Sequence, residues 1–210
     1  MTGRIVIDID RPQEVCAQMF TIECDFIGDF KIGDNIVYNL KVLNALYDGG
    51  ARLNPNQRRF FYKPQIVTLV SIIEALLYDL TLRARTFTNE GVRNVPNSVL
   101  KEIRSKKQTD KLAKLIEVAK RYKLFGDKPQ IYSALTELNK LRNRIHIQNA
   151  WSHQPADEEK AFDSNKVVLA ERALEKIVKI CSTKYNRSIS HVPDFEFPWK
   201  QYYRPLDRRP

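Results

Sequence analysis

Residues 66–80 read IVTLVSIIEALLYDL, and this stretch decides the fold class. Apolar side chains cover most of the circumference of the helix it would form, a pattern typical of a helix in the middle of a bundle. Pro64 stands where the first turn of a helix tolerates proline, so a helix is predicted over residues 65–87. Glu74 and Asp79 lie inside the run and argue against a membrane span. The sequence therefore predicts a helical bundle built around this segment.

Helical patterns continue on both sides of the central run. Upstream, apolar residues recur at helical spacing after Asp34, the candidate N-cap, and Gly49-Gly50 is the candidate end. Downstream, the acidic residues 157–159 are predicted to form a loop. Further helices are predicted over residues 100–125, 129–150 and 165–185. We therefore expect a mainly α fold, with a bundle over residues 35–187.

An acidic arm precedes the predicted bundle. Residues 1–35 contain seven Asp/Glu against three Lys/Arg, although the whole chain is basic. Residues 4–8 and 20–26 alternate apolar and polar side chains, which is the period of a half-buried strand. The arm, residues 1–34, is therefore predicted to hold a small β-hairpin or to be irregular.

A tail rich in proline and aromatic residues, 188–210, follows the predicted bundle. Its central part, residues 195–203, reads FEFPWKQYY. Such a segment could stack on single-stranded bases. The favoured interpretation is that it clamps its own bundle or a partner subunit, because exposed aromatic surface is more often covered by protein.

The composition fits a globular protein with a polyanionic partner. Of 210 residues, 43% are hydrophobic and 29% charged, and the formal net charge is +10. That charge favours nucleic acid over a membrane as a partner. Residues 101–123 hold nine Lys/Arg against three Asp/Glu. These residues form either a solvated helix face or a surface that binds along a phosphate backbone. In the second case, Lys106, Lys107 and Lys111 are the candidate RNA-binding residues.

Several classes of protein are excluded by what the sequence lacks. The three cysteines, Cys16, Cys24 and Cys181, include no C-x-x-C pair, which disfavours a secreted disulfide scaffold. The first residues contain no apolar run of signal-peptide length, so a cytoplasmic protein is expected. No glycine-rich phosphate loop and no H-E-x-x-H motif occurs. No metal site and no cofactor are predicted.

The segment that could carry chemistry is residues 138–146, LNKLRNRIH. On a helix, Arg142 falls in the centre of the apolar stripe, so its guanidinium must find an anion or acceptors. One interpretation is a structural ion pair with Glu74, the internal carboxylate we select. The other is that Arg142 and His146, one turn apart, hold a phosphate, with His146 as acid or base and Arg142 stabilising charge on phosphorus.

Residues 141–146, LRNRIH, resemble the signature of the HEPN superfamily (higher eukaryotes and prokaryotes nucleotide-binding). That resemblance implies a helical bundle, and many members are metal-independent ribonucleases that act as homodimers. Others are nucleotide-binding proteins, toxins or inactive partner modules. By position, Arg142 would contact the scissile phosphate, Asn143 would support the site, and His146 would be the acid/base group. The spacing between Arg142 and His146 is shorter than is usual in the family.

Two functional hypotheses follow. The first is a HEPN-like metal-independent endoribonuclease or RNA-binding toxin-type protein, with a role in host or phage defence. The resemblance implies a homodimer with RNA as its ligand and an inhibitory protein partner of the antitoxin kind, and His153 is a second-choice acid/base group. The second is a catalytically silent helical module that binds protein or nucleic acid, with Arg142 in a structural salt bridge. Neither involves a membrane.

Overall fold

The computed structural model describes residues 26–27, 30–86, 111–144, 157–185 and 196–202, with the backbone alone at 83–86. All regular structure in these ranges is helical, which confirms the predicted mainly α class. The strand pattern predicted at residues 4–8 and 20–26 lies outside the described residues except for Phe26. The elements are α1 (Phe30–Ala51), α2 (Pro55–Arg58), a 3-10 turn (Arg59–Phe61), α3 (Tyr62–Thr86), α4 (Leu112–Arg121), α5 (Pro129–Asn143), α6 (Glu158–Ala161), α7 (Ser164–Lys184) and a second 3-10 turn (Pro198–Gln201).

Helix α3 is the central helix, as its apolar sequence predicts. It packs against α1, α4, α5 and α7. Its fully buried side chains include Ile66, Leu69, Val70, Ile72, Ile73 and Leu77. In the described residues one stretch, Pro55–Leu82, is long and apolar enough to cross a membrane. In its most apolar window, 61% of the residues are buried inside the bundle, and the core helix of a soluble protein passes the same test.

Helix α1 differs from its predicted bounds at both ends. It begins at Phe30, so Asp34 lies inside the helix rather than at its cap. At the other end, Gly49 and Gly50 are helical and the helix continues to Ala51. A Cβ at Gly49 would lie 3.2 Å from Cε1 of Phe61, so this glycine lets the Phe61 ring approach the helix. Gly49 and Gly50 therefore allow close packing and do not end the helix.

In the second half of the chain, the helix predicted over residues 100–125 corresponds to α4, Leu112–Arg121. Residues 100–110 lie outside the described residues, and residues 122–125 form turns. Helix α5 ends at Asn143, and positions 145–150 of the helix predicted to residue 150 lie outside the described residues. The acidic residues predicted as a loop form the short helix α6, because the Asp157 carboxylate accepts a hydrogen bond from the Glu159 amide at 2.9 Å. Helix α7 begins one residue before the predicted position, where the Asp163 carboxylate accepts from the Lys166 amide at 2.9 Å.

The described part of the tail is clamped onto the bundle. Trp199 is 1% exposed, and its ring stacks on Phe197 with 4.6 Å between centroids. Its indole Nε1 donates to Glu175 Oε1 of α7 at 2.7 Å. Tyr202 stacks on Tyr47 of α1, with centroids 5.9 Å apart. The favoured interpretation, a tail that packs on its own bundle, is thus confirmed for residues 196–202, and Trp199 does not present a free face to a base.

Candidate functional site

The candidate site joins the last turn of α5 to the middle of α3. Nη2 of Arg142 lies 3.0 Å from Oε2 of Glu74 and 3.3 Å from Oε1. The two residues are 68 positions apart in sequence, and α5 packs against α3. The ion pair that the sequence analysis selected from the apolar pattern is therefore present.

The pair is less buried than the helical projection predicts. The side chain of Arg142 is 38% exposed and that of Glu74 is 21% exposed. The buried residues of α5 are Ile131, Tyr132, Leu135, Leu138 and Leu141, and Arg142 is not among them. A long arginine stem can lie along apolar surface while its guanidinium reaches the rim of the bundle. The prediction that Arg142 stands in the centre of the buried face is wrong in this respect.

Among the arginines whose side chains the structure describes, Arg144 is the buried one, and the sequence predicts no role for it. Its side chain is 8% exposed, and its Nη2 lies 3.5 Å from Oε1 of Glu158. Its Nε and Nη1 are buried and have no hydrogen-bond partner among the described residues. Arg144 caps the C-terminal end of α5, where the chain leaves the helix, so helical periodicity gives no signal for its burial. Buried guanidinium nitrogens without acceptors are destabilising.

Arg144 belongs to a group of ion pairs where α6 meets the start of α3. Glu158 binds both Arg144 and the ammonium of Lys63. Beside it, Glu159 binds Nη1 of Arg59 at 2.9 Å. Three cations therefore face two carboxylates, and the acidic residues of α6 neutralise a basic surface of the same chain.

The remaining predicted site residues are not brought to this pair by the described structure. Asn143 is the last residue of α5 and is exposed, and Lys111 is exposed immediately before α4. His146, His153, Lys106 and Lys107 lie outside the described residues. The site that the structure shows thus consists of Arg142 and Glu74, at the end of the helix that leads to the rest of the LRNRIH segment.

Within the described ranges, no group of three or more His, Cys, Asp or Glu side chains has the arrangement of a metal site. No family model, curated protein or solved structure matches this chain. The chemistry of the site therefore rests on its own residues, together with the resemblance of residues 141–146 to the HEPN signature.

Proposed function

We propose that this protein is a HEPN-like, metal-independent endoribonuclease. The observation that carries the proposal is the state of Arg142, which is held in place by Glu74 and keeps 38% of its side chain exposed. A guanidinium that is oriented by a carboxylate and still open to solvent is suited to binding a phosphate. In sequence, Arg142 lies four residues before His146, the proposed acid/base group.

Arg142 has donors available for an external anion. All of its hydrogen bonds within the described residues run from Nη2 to Glu74. A guanidinium carries five N–H groups, so Nε and Nη1 remain for phosphate oxygens. In the transition state, these donors would stabilise the additional negative charge on phosphorus.

The proposed reaction uses the RNA's own nucleophile. One histidine removes the proton of the 2′-hydroxyl, whose oxygen attacks the adjacent phosphorus, while a second acid protonates the departing 5′-oxygen as the P–O5′ bond breaks. The products are a 2′,3′-cyclic phosphate and a 5′-hydroxyl. In a homodimer, the two copies of His146 would share these roles. The homodimer, an inhibitory protein partner, a cytoplasmic location and a role in defence belong to the same proposal.

Glu74 acts on the proposed reaction only through Arg142, as a positioning residue. Its charge repels a phosphate, but its two oxygens fix the guanidinium. Glu74→Gln keeps one acceptor and removes the charge. We expect this variant to cleave RNA more slowly than the wild type, with a larger effect on kcat than on KM, since phosphate attraction increases while orientation is lost.

The test is incubation of the full-length protein with mixed RNA in EDTA, followed by analysis of product ends. We expect cyclic-phosphate ends from the wild type. Cleavage should fall by about 10²–10⁴-fold in both His146→Ala and Arg142→Ala. Arg172→Ala is the matched control, because this arginine is exposed on α7 away from the pair. If His146→Ala cuts RNA at the wild-type rate, the assignment is wrong.

The ion pair itself favours a second candidate, a catalytically silent helical module that binds RNA. In that case Glu74 is the only anion that Arg142 requires, and the salt bridge is structural. Wild-type protein would then retain RNA in EDTA without producing any new ends. Arg142→Ala would bind RNA as the wild type does and would lose stability instead.

A further inference from the structure

A cleft of about 470 Å³ lies between the first turn of α5 and the C-terminal half of α7, two helices that pack together. We name it the lysine cleft. Its lining residues are Lys128, Gln130, Ile131, Lys176, Lys179, Ile180, Thr183 and Lys184. Its volume is within the range of about 300–1,000 Å³ that is usual for small-molecule sites.

Half of the lining residues are lysines, and none is acidic. The carboxylates of α7 that could offset this charge are engaged elsewhere. Glu171 accepts a hydrogen bond from Tyr47 of α1, and Glu175 accepts from Trp199 of the tail. Asp127, next to the cleft in sequence, is 3.0 Å from the ammonium of Lys123. The positive charge of the cleft is therefore not neutralised by these acids.

Other features of the cleft suit an anion with an apolar part. The first turn of α5 contains no acidic residue, and its N-cap, Lys128, supplies no side-chain acceptor. The helix dipole therefore adds to the positive potential there. Ile131 and Ile180 give the lining an apolar patch. The Lys184 ammonium is held by the Leu124 carbonyl at 3.3 Å, so at least one of the cations is already positioned.

We propose that the lysine cleft binds a run of adjacent phosphate groups. Four lysine residues line one small volume, which is more cations than a single phosphate needs, and adjacent phosphates match their charge. Such a run occurs in the polyphosphate chain of a nucleotide and in an RNA backbone. The cleft uses neither Arg142 nor His146. Arg142 lies about 16 Å further along the axis of α5 than Ile131, at a rise of about 1.5 Å per residue. The proposal thus goes beyond the ribonuclease site.

The test is calorimetric titration of the full-length protein with tripolyphosphate at one fixed ionic strength. Lys176→Gln/Lys179→Gln removes two cations of the cleft. The matched control, Lys31→Gln/Lys41→Gln, removes the same charge from exposed positions on α1. We expect the Kd to rise at least about tenfold in the cleft variant and by less than about twofold in the control.

Competition identifies the source of the phosphates and does not depend on RNA cleavage. Displacement of tripolyphosphate by short single-stranded RNA indicates a backbone ligand, and displacement only by a nucleoside triphosphate indicates a nucleotide; either result supports the site. Lys128→Gln is a second variant in case the double variant fails to fold. Absence of tripolyphosphate binding by the wild type, or equal weakening in the cleft and control variants, would overturn the proposal.

Discussion

Tyr47 of α1 donates a hydrogen bond from its phenol to Oε1 of Glu171 of α7, and both residues are buried. The bond links two helices that both pack against α3. The Tyr47 ring also stacks on Tyr202, so the same residue connects the tail to the bundle. A polar contact thus lies where α1, α7 and the tail meet.

Tyr47→Phe tests this contact because it removes the hydroxyl and keeps the ring. We expect the free energy of unfolding to fall by about 1–3 kcal/mol, since a buried acceptor loses a donor. Denaturant unfolding measures the change. Tyr38→Phe is the control, because Tyr38 is 66% exposed and should not alter the midpoint. An unchanged midpoint for Tyr47→Phe would show that the hydroxyl contributes nothing to folding.

The clamp of the tail predicts a large effect at Trp199. Trp199→Ala should lower the free energy of unfolding by about 3–5 kcal/mol, because it empties a fully buried aromatic site. Lys200→Gln, which removes the partly exposed ion pair with Glu175, should cost less than about 1 kcal/mol. Thermal unfolding of the two variants side by side measures the difference. If Trp199→Ala melts with the wild type, the tail is not a structural clamp.

The contribution of the Arg142–Glu74 pair to the free energy of unfolding distinguishes the two proposed functions. A fully buried pair would cost about 3–5 kcal/mol when Arg142 is removed, because the carboxylate would be left without a partner. The observed exposures of 38% and 21% reduce this expectation. A double-mutant cycle with Arg142→Ala and Glu74→Ala should give a coupling of about 0.5–1 kcal/mol.

A coupling of that size, together with loss of RNA cleavage in Arg142→Ala, agrees with an accessible phosphate contact. A coupling above about 3 kcal/mol with no effect on RNA would instead assign the pair to the structural module.

Replacement of most buried residues lowers the free energy of unfolding, but replacement of Arg144 by an apolar residue should not. Two of its guanidinium nitrogens are buried without acceptors in the part of the chain that the structure describes, so Arg144→Met should leave stability unchanged or increase it. Glu158→Gln should lower stability by about 1–3 kcal/mol, because Arg144 and Lys63 both lose their charged partner. Chemical denaturation of the two variants provides the comparison. A strong loss of stability in Arg144→Met would mean that its guanidinium makes contacts that stabilise the fold more than the ion pair with Glu158 does.

The order of the helices along this chain could be predicted because the spacing of apolar residues reflects which side chains are buried locally. The apolar run that forms α3 is a property of a few neighbouring residues. The pairing of Arg142 with Glu74 could also be predicted, because few carboxylates lie within the apolar core sequence.

The bounds of α1 and the burial of Arg144 depend on residues that are distant in sequence. Gly49 and Gly50 have the composition of a helix end, but Phe61 packs against them, and only the fold brings Phe61 there. Arg144 is buried by a turn that breaks the helical repeat, against Glu158 of another element. The lysine cleft also requires α5 and α7 to meet before its four cations share one surface.

The pH dependence of stability should reflect two buried phenols where the end of α7 meets the loop before α5. The hydroxyl of Tyr185 donates to the Leu124 carbonyl, and that of Tyr132 donates to the Gly126 carbonyl at 3.0 Å. Burial raises the pKa of both phenols above the usual value, and for Tyr185 the charge of nearby Cys181 adds to the effect.

A raised pKa in the folded state means that the unfolded chain loses these protons first as the pH rises. Their contribution to stability is therefore complete below about pH 10, the usual pKa of tyrosine, and is lost as the pH rises through the folded-state values. Denaturant unfolding over an alkaline series should show stability falling above about pH 10, with a shallower fall in Tyr185→Phe than in the wild type. If the stability of Tyr185→Phe and of the wild type falls with pH at the same slope, the Tyr185 phenol does not stay protonated in the folded protein.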